Sequence, residues 1–288
     1  MLTDGGGIDY LTGRGGADIL QGGDGTDWVT YEGSALGVTV NLATGLGSGG
    51  DAEGDQLFSI TNLWGSDHDD HLTGDDASNW FNGAGGDVVS YKHSGAGVMV
   101  DLHGGIGSGG EAEGDTYASI EHIRAGAHDD TLIGNAAGNW LCGAGGNDVI
   151  TGGGGNDNVM GLSGDDLFHF ARGDGDDLLD NRGWAGDADR LLFGDTIAHD
   201  QLWLSQTGSD LMIDVIGEDG SVRVMDWFSG SDNTVATIEA GDGLTLEATR
   251  VASLVNAMAA FAPPTGLDEI MEQSVRDALA MDLAAAWQ

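Results

Sequence analysis

A nine-residue unit recurs in register along this chain. Residues 4–12, 13–21 and 22–30 read DGGGIDYLT, GRGGADILQ and GGDGTDWVT, aligning without gaps to G-G-x-G-x-D-x-U-x, where U is a large apolar residue. The aspartates fall at Asp9, Asp18 and Asp27, and the apolar residues at Leu11, Leu20 and Val29. A fixed short period is the signature of a repeat architecture, in which each unit buries its apolar face only against its neighbours. The glycine-rich half predicts a tight turn, because glycine reaches positive φ and lets backbones approach closely. The x-U-x half predicts a short strand with one side chain pointing inward. Two nonapeptides then make an 18-residue coil, successive coils stack as parallel strands, and the turns stack along both edges.

The pattern resumes, degraded, at 65–73 and 74–82, is one residue short at 83–90, and returns from 125. It is clean again at 143–151, 152–160 and 161–169, and 172–180 closes the series after a two-residue slip. A longer repeat is superimposed: 27–86 aligns with 87–146 without a gap, about half of the positions being identical. Each copy carries an alternating strand (Val38, Val40, Leu42; Val98, Val100, Leu102), a Gly-rich acidic turn and an expected second strand near Ile60 or Ile120. Two nonapeptides close each copy. From about 187 glycine thins, and strands are expected at 190–194, 201–205, 210–216, 221–225, 234–239 and 244–247, with turn signals such as Glu218-Asp-Gly between them. Helical spacing follows at 249–261. After Pro263-Pro264 a final amphipathic helix is expected over 267–287, with Leu267, Ile270, Met271, Val275, Leu279 and Leu283 on its apolar face. The fold class is therefore all-β: a parallel β-roll with a C-terminal β cap and short C-terminal helices. The expected divisions are 1–186 (roll, with the inserts 27–86 and 87–146), 187–248 (cap) and 249–288 (helical tail).

Stacked turns place carboxylate over carboxylate. Two like charges about 5 Å apart repel by roughly 1 kcal/mol in water, and by several times that when partly desolvated. A hard divalent cation between the turns reverses the sign. Calcium takes 6–8 oxygens in flexible geometry, which aspartates and turn carbonyls can supply; magnesium wants a tighter octahedron, and zinc and copper want nitrogen or sulfur. Several calcium ions are thus expected. The candidate ligands are Asp9, Gly13, Gly15, Asp18, Gly22, Asp24 and Asp27 in the first array, and Gly143, Gly145, Asp148, Gly152, Gly154, Asp157, Gly161, Ser163, Asp166 and Asp177 in the second. In the degraded turns His68, Ala77, His128 and Ala137 replace the fourth-position glycine, while Asn79 and Asn139 replace the aspartate; weak or absent calcium binding is expected there. Asp51, Glu53 and Asp55, echoed by Glu111, Glu113 and Asp115, are read either as a separate acidic site or as a solvated loop.

The charge supports these limits. With 48 Asp+Glu against 9 Lys+Arg the formal net charge is −39, which argues against nucleic-acid binding and against docking on an anionic membrane surface. Cys142 is the single cysteine, so an intramolecular disulfide cannot form. No 18-residue apolar run suggests membrane insertion, and the N-terminus lacks the pattern of a cleavable signal peptide. No HExxH occurs, and the carboxylates are explained by turn register rather than by a catalytic pair, so the chain is expected not to be an enzyme. Trp28, Trp80 and Trp140 occupy the outward x after the Asp or Asn and are read as stacking on the face of the roll or contacting a glycan or partner.

In these nonapeptides the chain resembles the RTX (repeats-in-toxin, haemolysin-type) calcium-binding family. Residues 187–262, with Asp210-Leu-Met-Ile and Asp226-Trp-Phe, look like the β cap that follows RTX arrays. The segment from Ser253 to Pro264 and the tail to Ala286-Trp287-Gln288 resemble C-termini of type I secretion substrates. The resemblance implies an uncleaved C-terminal export signal read by type I secretion machinery, an extracellular location, and folding driven by calcium after export. An alternative reading is an extracellular scaffold, adhesin or surface-layer element with self-assembly or a cell-surface partner. A third is the C-terminal part of a secreted hydrolase or epimerase, disfavoured because the repeats begin at residue 4.

Overall fold

The structure is a computed structural model that describes residues 1–3, 5–182, 187–217, 220–230, 233–263 and 271–288. It divides into two compact units, Met1–Thr131 and Leu132–Gln288.

In the first unit most strands are three residues long, as x-U-x demands. One sheet runs through Tyr10–Leu11, Trp28–Thr30, Asn62–Trp64, Trp80–Asn82 and Thr116–Ala118. Its register places Leu11 beside Val29, Val29 beside Leu63, Leu63 beside Phe81, and Phe81 beside Tyr117, all parallel. These central residues are buried, and so is Leu20 in the facing sheet. The thin core is the stack of U positions, because in a strand alternate side chains point to opposite faces.

The inserts depart from a uniform parallel stack. Thr39–Asn41 pairs antiparallel with Leu46–Ser48, which pairs antiparallel with Gln56–Phe58; the second copy repeats this with Met99–Asp101, Ile106–Ser108 and Thr116–Ala118. The strand expected near Ile60 or Ile120 is instead two strands meeting at a corner. Ile60 and Ile120 are buried in that corner, just after Ser59 (φ 51°) and Ser119 (φ 49°). A positive φ at the serine turns the chain, so the isoleucine plugs the bend rather than lying in a ladder.

In the second unit Trp140–Gly145, Asn158–Ser163 and Asp176–Leu179 stack in parallel, opposite Val149–Thr151, Leu167–Phe170 and Arg190–Phe193. The cap continues both sheets. Ser221–Val224 adds in parallel and is followed by the antiparallel strands Asp210–Val215 and Leu202–Thr207. Thr237–Glu239 adds to the other sheet and pairs antiparallel with Thr245–Glu247. Switching to antiparallel hairpins lets adjacent segments pair without another 18-residue coil. Helix α1 (Ala248–Met258) buries Val251, Leu254, Val255 and Met258, and helix α2 (Gln273–Ala286) buries Leu279 and Leu283. Met271 is buried and Val275 half-buried; Leu267 and Ile270, like the Glu218-Asp219 turn, lie outside the described residues. The chain end is held by Gln288, which exchanges backbone hydrogen bonds of 2.8 and 3.0 Å with Thr245.

Candidate calcium-binding turns

Glycine in the nonapeptide has a local cause at two positions. A Cβ on the fourth-position glycine would collide with the turn 18 to 20 residues earlier: it would stand 1.9 Å from the Gly7 carbonyl for Gly25, 2.0 Å from that of Gly146 for Gly164, and 1.9 Å from that of Gly155 for Gly175. The stacking distance of the turns therefore excludes a side chain. A Cβ on the first glycine would collide with the repeat's own aspartate. It would lie 2.0 Å from Asp148 Oδ2 for Gly143, 2.3 Å from Asp157 Oδ2 for Gly152 and 2.0 Å from Asp166 Oδ2 for Gly161. The space left by the missing side chain is the space the carboxylate occupies.

The aspartates form ladders. In each step the Oδ1 atom of one aspartate accepts the backbone N–H of the residue at the same place in the preceding coil. Asp9 donates to Asp27 (3.1 Å), Asp148 to Asp166 (2.9 Å) and Asp166 to Asp189 (2.9 Å). Asn139 donates to Asp157 (2.7 Å), and Asp157 to Asp177 (3.0 Å). One oxygen per carboxylate is thus used by the fold. The Oδ2 atoms of Asp27, Asp157 and Asp166 are buried with no hydrogen-bond partner. Burial, reinforced by neighbouring carboxylates, pushes Asp157 up to about 6, Asp166 to about 7 and Asp177 to about 8. A buried, unpartnered anionic oxygen costs several kcal/mol unless a cation or a proton reaches it.

A family model for the RTX calcium-binding nonapeptide repeat matches the chain in four copies, over residues 2–33 and 133–168. These two segments carry RTX calcium-binding nonapeptide repeats. The chain builds them as a parallel β-roll, and such repeats are structural calcium-binding units rather than catalytic ones.

The donor set of the RTX turns fits calcium. The turns of Asp27, Asp157 and Asp166 each offer one buried carboxylate oxygen without a hydrogen-bond partner, beside a glycine-rich loop. Among the described residues no three His, Cys, Asp or Glu side chains converge as a metal group, so turn carbonyls would have to complete the coordination. Calcium tolerates that mixture of oxygens. The sequence-derived residues fall into two groups. Asp27, Asp148, Asp157, Asp166 and Asp177 are buried in the ladders, with Gly22, Gly143, Gly152 and Gly161 packed beside them. Asp9, Asp18, Gly13, Gly145, Gly154 and Ser163 are half-buried, whereas Asp24 and Gly15 are exposed. Asp18 continues a ladder by donating to Asp55 Oδ1 (2.8 Å).

The inserts solve the same problem with protein groups. Asp55 Oδ2 accepts from Tyr31 Oη (3.1 Å), and Asp115 Oδ2 from Tyr91 Oη (2.6 Å). Asp70 accepts from Val38 N–H, Ser66 N–H and Ser66 Oγ, and Asp87 from Asp70, Ala84 and Gly85 N–H. Asn79 accepts from Asp75 N–H and donates to Thr61 and to Asp75 Oδ1. The acidic insert loops do not converge: Asp55 and Asp115 join the ladders, while Glu53 and Glu113 each accept the N–H of a nearby glycine at 2.8 Å. His68 and His71 are exposed and belong to no metal group.

Sequence reasoning missed Asp189 as the end of a ladder and Asp55 and Asp115 as members. A signal was present. Each ladder aspartate stands two residues before an inward apolar residue of its strand, as in Asp55-Gln-Leu-Phe, Asp115-Thr-Tyr-Ala and Asp189-Arg-Leu-Leu.

Proposed function

We propose that this chain is an exported RTX protein whose clean arrays fold when they bind calcium outside the cell. The carrying observation is the set of buried Oδ2 atoms without partners in the turns of Asp27, Asp157 and Asp166. Calcium would be held by the ladder aspartates and glycine-turn carbonyls of residues 9–27 and 143–177, and it supplies the positive charge those oxygens lack. The protein contributes the rest: glycine clears the space, Oδ1 bonds fix each carboxylate, and the U stack aligns the turns. In the unfolded chain the turns do not exist, so binding free energy becomes folding free energy. At low calcium the −39 charge and the entropy of glycine-rich segments oppose compaction, which suits passage through type I secretion machinery. In this reading 1–186 form the roll, 187–248 its cap, and 249–288 carry the export signal.

Calorimetric calcium titration followed in parallel by far-UV circular dichroism tests this. Binding accompanied by a gain of β signal is the expected result; superimposable spectra in chelator and in millimolar calcium overturn it.

A further inference from the structure

The outward face of the sheet that begins at Tyr10 carries a cluster of aromatic rings. Tyr10, Trp28, Asn62, Trp80 and Thr116 share one row across the strands, and Thr30, Trp64 and Asn82 lie in the next row outward. None is charged. Trp28 sits at the centre, stacked on Tyr10 (6.0 Å, 11°) and edge-on to Trp64 (6.3 Å) and Trp80 (5.1 Å). It is nearly covered, so it acts as a support, while Tyr10 is 62% and Trp80 48% exposed. The backbones of these two are three strands apart, about 14 Å along the sheet.

The coil does not require these rings. At the equivalent places of the second 60-residue copy Trp28 becomes Val88, Asn62 becomes His122 and Trp64 becomes Arg124. Those residues adopt the same parallel register, Val88 beside His122 and Ser90 beside Arg124. Trp80 alone keeps its ring, as Trp140, so the duplication supplies an internal comparison in which the same scaffold is built with and without Trp28 and Trp64.

We propose that Tyr10 and Trp80, supported by Trp28 and Trp64, form a binding platform for a neutral glycan chain. Exposed aromatic faces carry negative quadrupole charge that attracts the C–H faces of a sugar ring. The flanking Thr30 and Asn82 can hydrogen-bond hydroxyls, and the absence of charge fits a neutral ligand. The surrounding −39 field repels acidic polysaccharides and leaves uncharged ones unaffected. An exposed aromatic patch rimmed by polar groups is a recognised mark of an interaction site. This inference does not rest on the calcium reading.

Affinity electrophoresis of the full chain in saturating calcium, against laminarin, mannan, dextran and soluble cellulose derivatives, with alginate as the acidic comparison, tests it. At least one neutral polymer should retard the chain and quench tryptophan fluorescence, and alginate should not. Trp80→Ala and Tyr10→Ala should each weaken retention at least tenfold with an unchanged circular dichroism spectrum, whereas Phe58→Ala, on the other sheet, should not. No retention by any neutral polymer, equal retention of Trp80→Ala, or a self-associated species by sedimentation that Trp80→Ala dissociates without glycan overturns the proposal.

Discussion

The insert turns around Asp55, Asp70, Asp87 and Asp115 and the clean turns around Asp157 and Asp166 solve one electrostatic problem in opposite ways. Both place a carboxylate under a parallel strand and use it to accept a backbone N–H from a neighbouring segment. In the inserts the second oxygen is also satisfied, by Tyr31, Tyr91, Ser66 or the amides of Ala84 and Gly85. In the clean array it is buried and bare. A satisfied buried acceptor stabilises the fold unaided, whereas an unsatisfied charged one opposes it until something binds. On the proposed reading the insert turns need no calcium, whereas the clean turns require it.

Removing calcium should expose this difference most strongly. In excess chelator, hydrogen exchange at Val159 and Phe168 should rise by orders of magnitude, while the strands around Val40, Leu72 and Val89 keep most of their protection. Uniform loss, or uniform retention, across both regions would break the comparison. Paired substitutions come next. Asp70→Ala leaves the Val38 and Ser66 N–H groups without an acceptor and should cost about 2–4 kcal/mol in calcium and chelator alike. Asp166→Asn should instead lower calcium affinity at least tenfold and leave melting in chelator unchanged or higher; equal behaviour of the two variants by calorimetry would contradict the assignment.

Acidification should act third. Asp157, Asp166 and Asp177 are held at about 6, 7 and 8 by burial, above the ordinary carboxylate value of 3.8. For an acid raised by folding, stability is full below the unfolded value and is lost as pH rises through the folded one. The calcium-free protein should therefore gain thermal stability on going from pH 8 to pH 5. Calcium affinity should fall over the same window, because protons compete for the same oxygens. Asp115, raised to about 6, adds to the trend from the insert side. A calcium-free melting temperature that falls towards pH 5 would contradict it. The smallest effect concerns backbone strain. Ala144 occupies the second position of its turn at φ 78°, where Gly153 and Gly173 serve elsewhere. Ala144→Gly should stabilise the second array by about 1 kcal/mol or less, read as a small rise in melting temperature.

Much of the architecture was legible because the repeat is short and its chemistry local. The U positions Leu11, Leu20, Val29 and Ile150 are buried as their spacing implies. The cap strands at 190–193, 202–207, 210–215 and 221–224 follow from alternation and turn signals. The hairpins inside the inserts were less legible. Leu46–Ser48 and Ile106–Ser108 are Gly- and Ser-bearing strands with one apolar residue each, and their pairing depends on neighbours supplied by other segments.

Sequence alone determined the period, the inward row and the placing of carboxylates at stacked turns, since each follows from residues within nine positions of one another. Tertiary structure decided which carboxylates are already satisfied. Whether the second oxygen is bare depends, for Asp55 and Asp115, on a tyrosine 24 residues away, and, for Asp70 and Asp87, on how the fold bends the neighbouring turn so that the Ser66 or the Ala84 and Gly85 amides reach it. Hydrogen bonds are short-range and directional, so only the folded register can assign them.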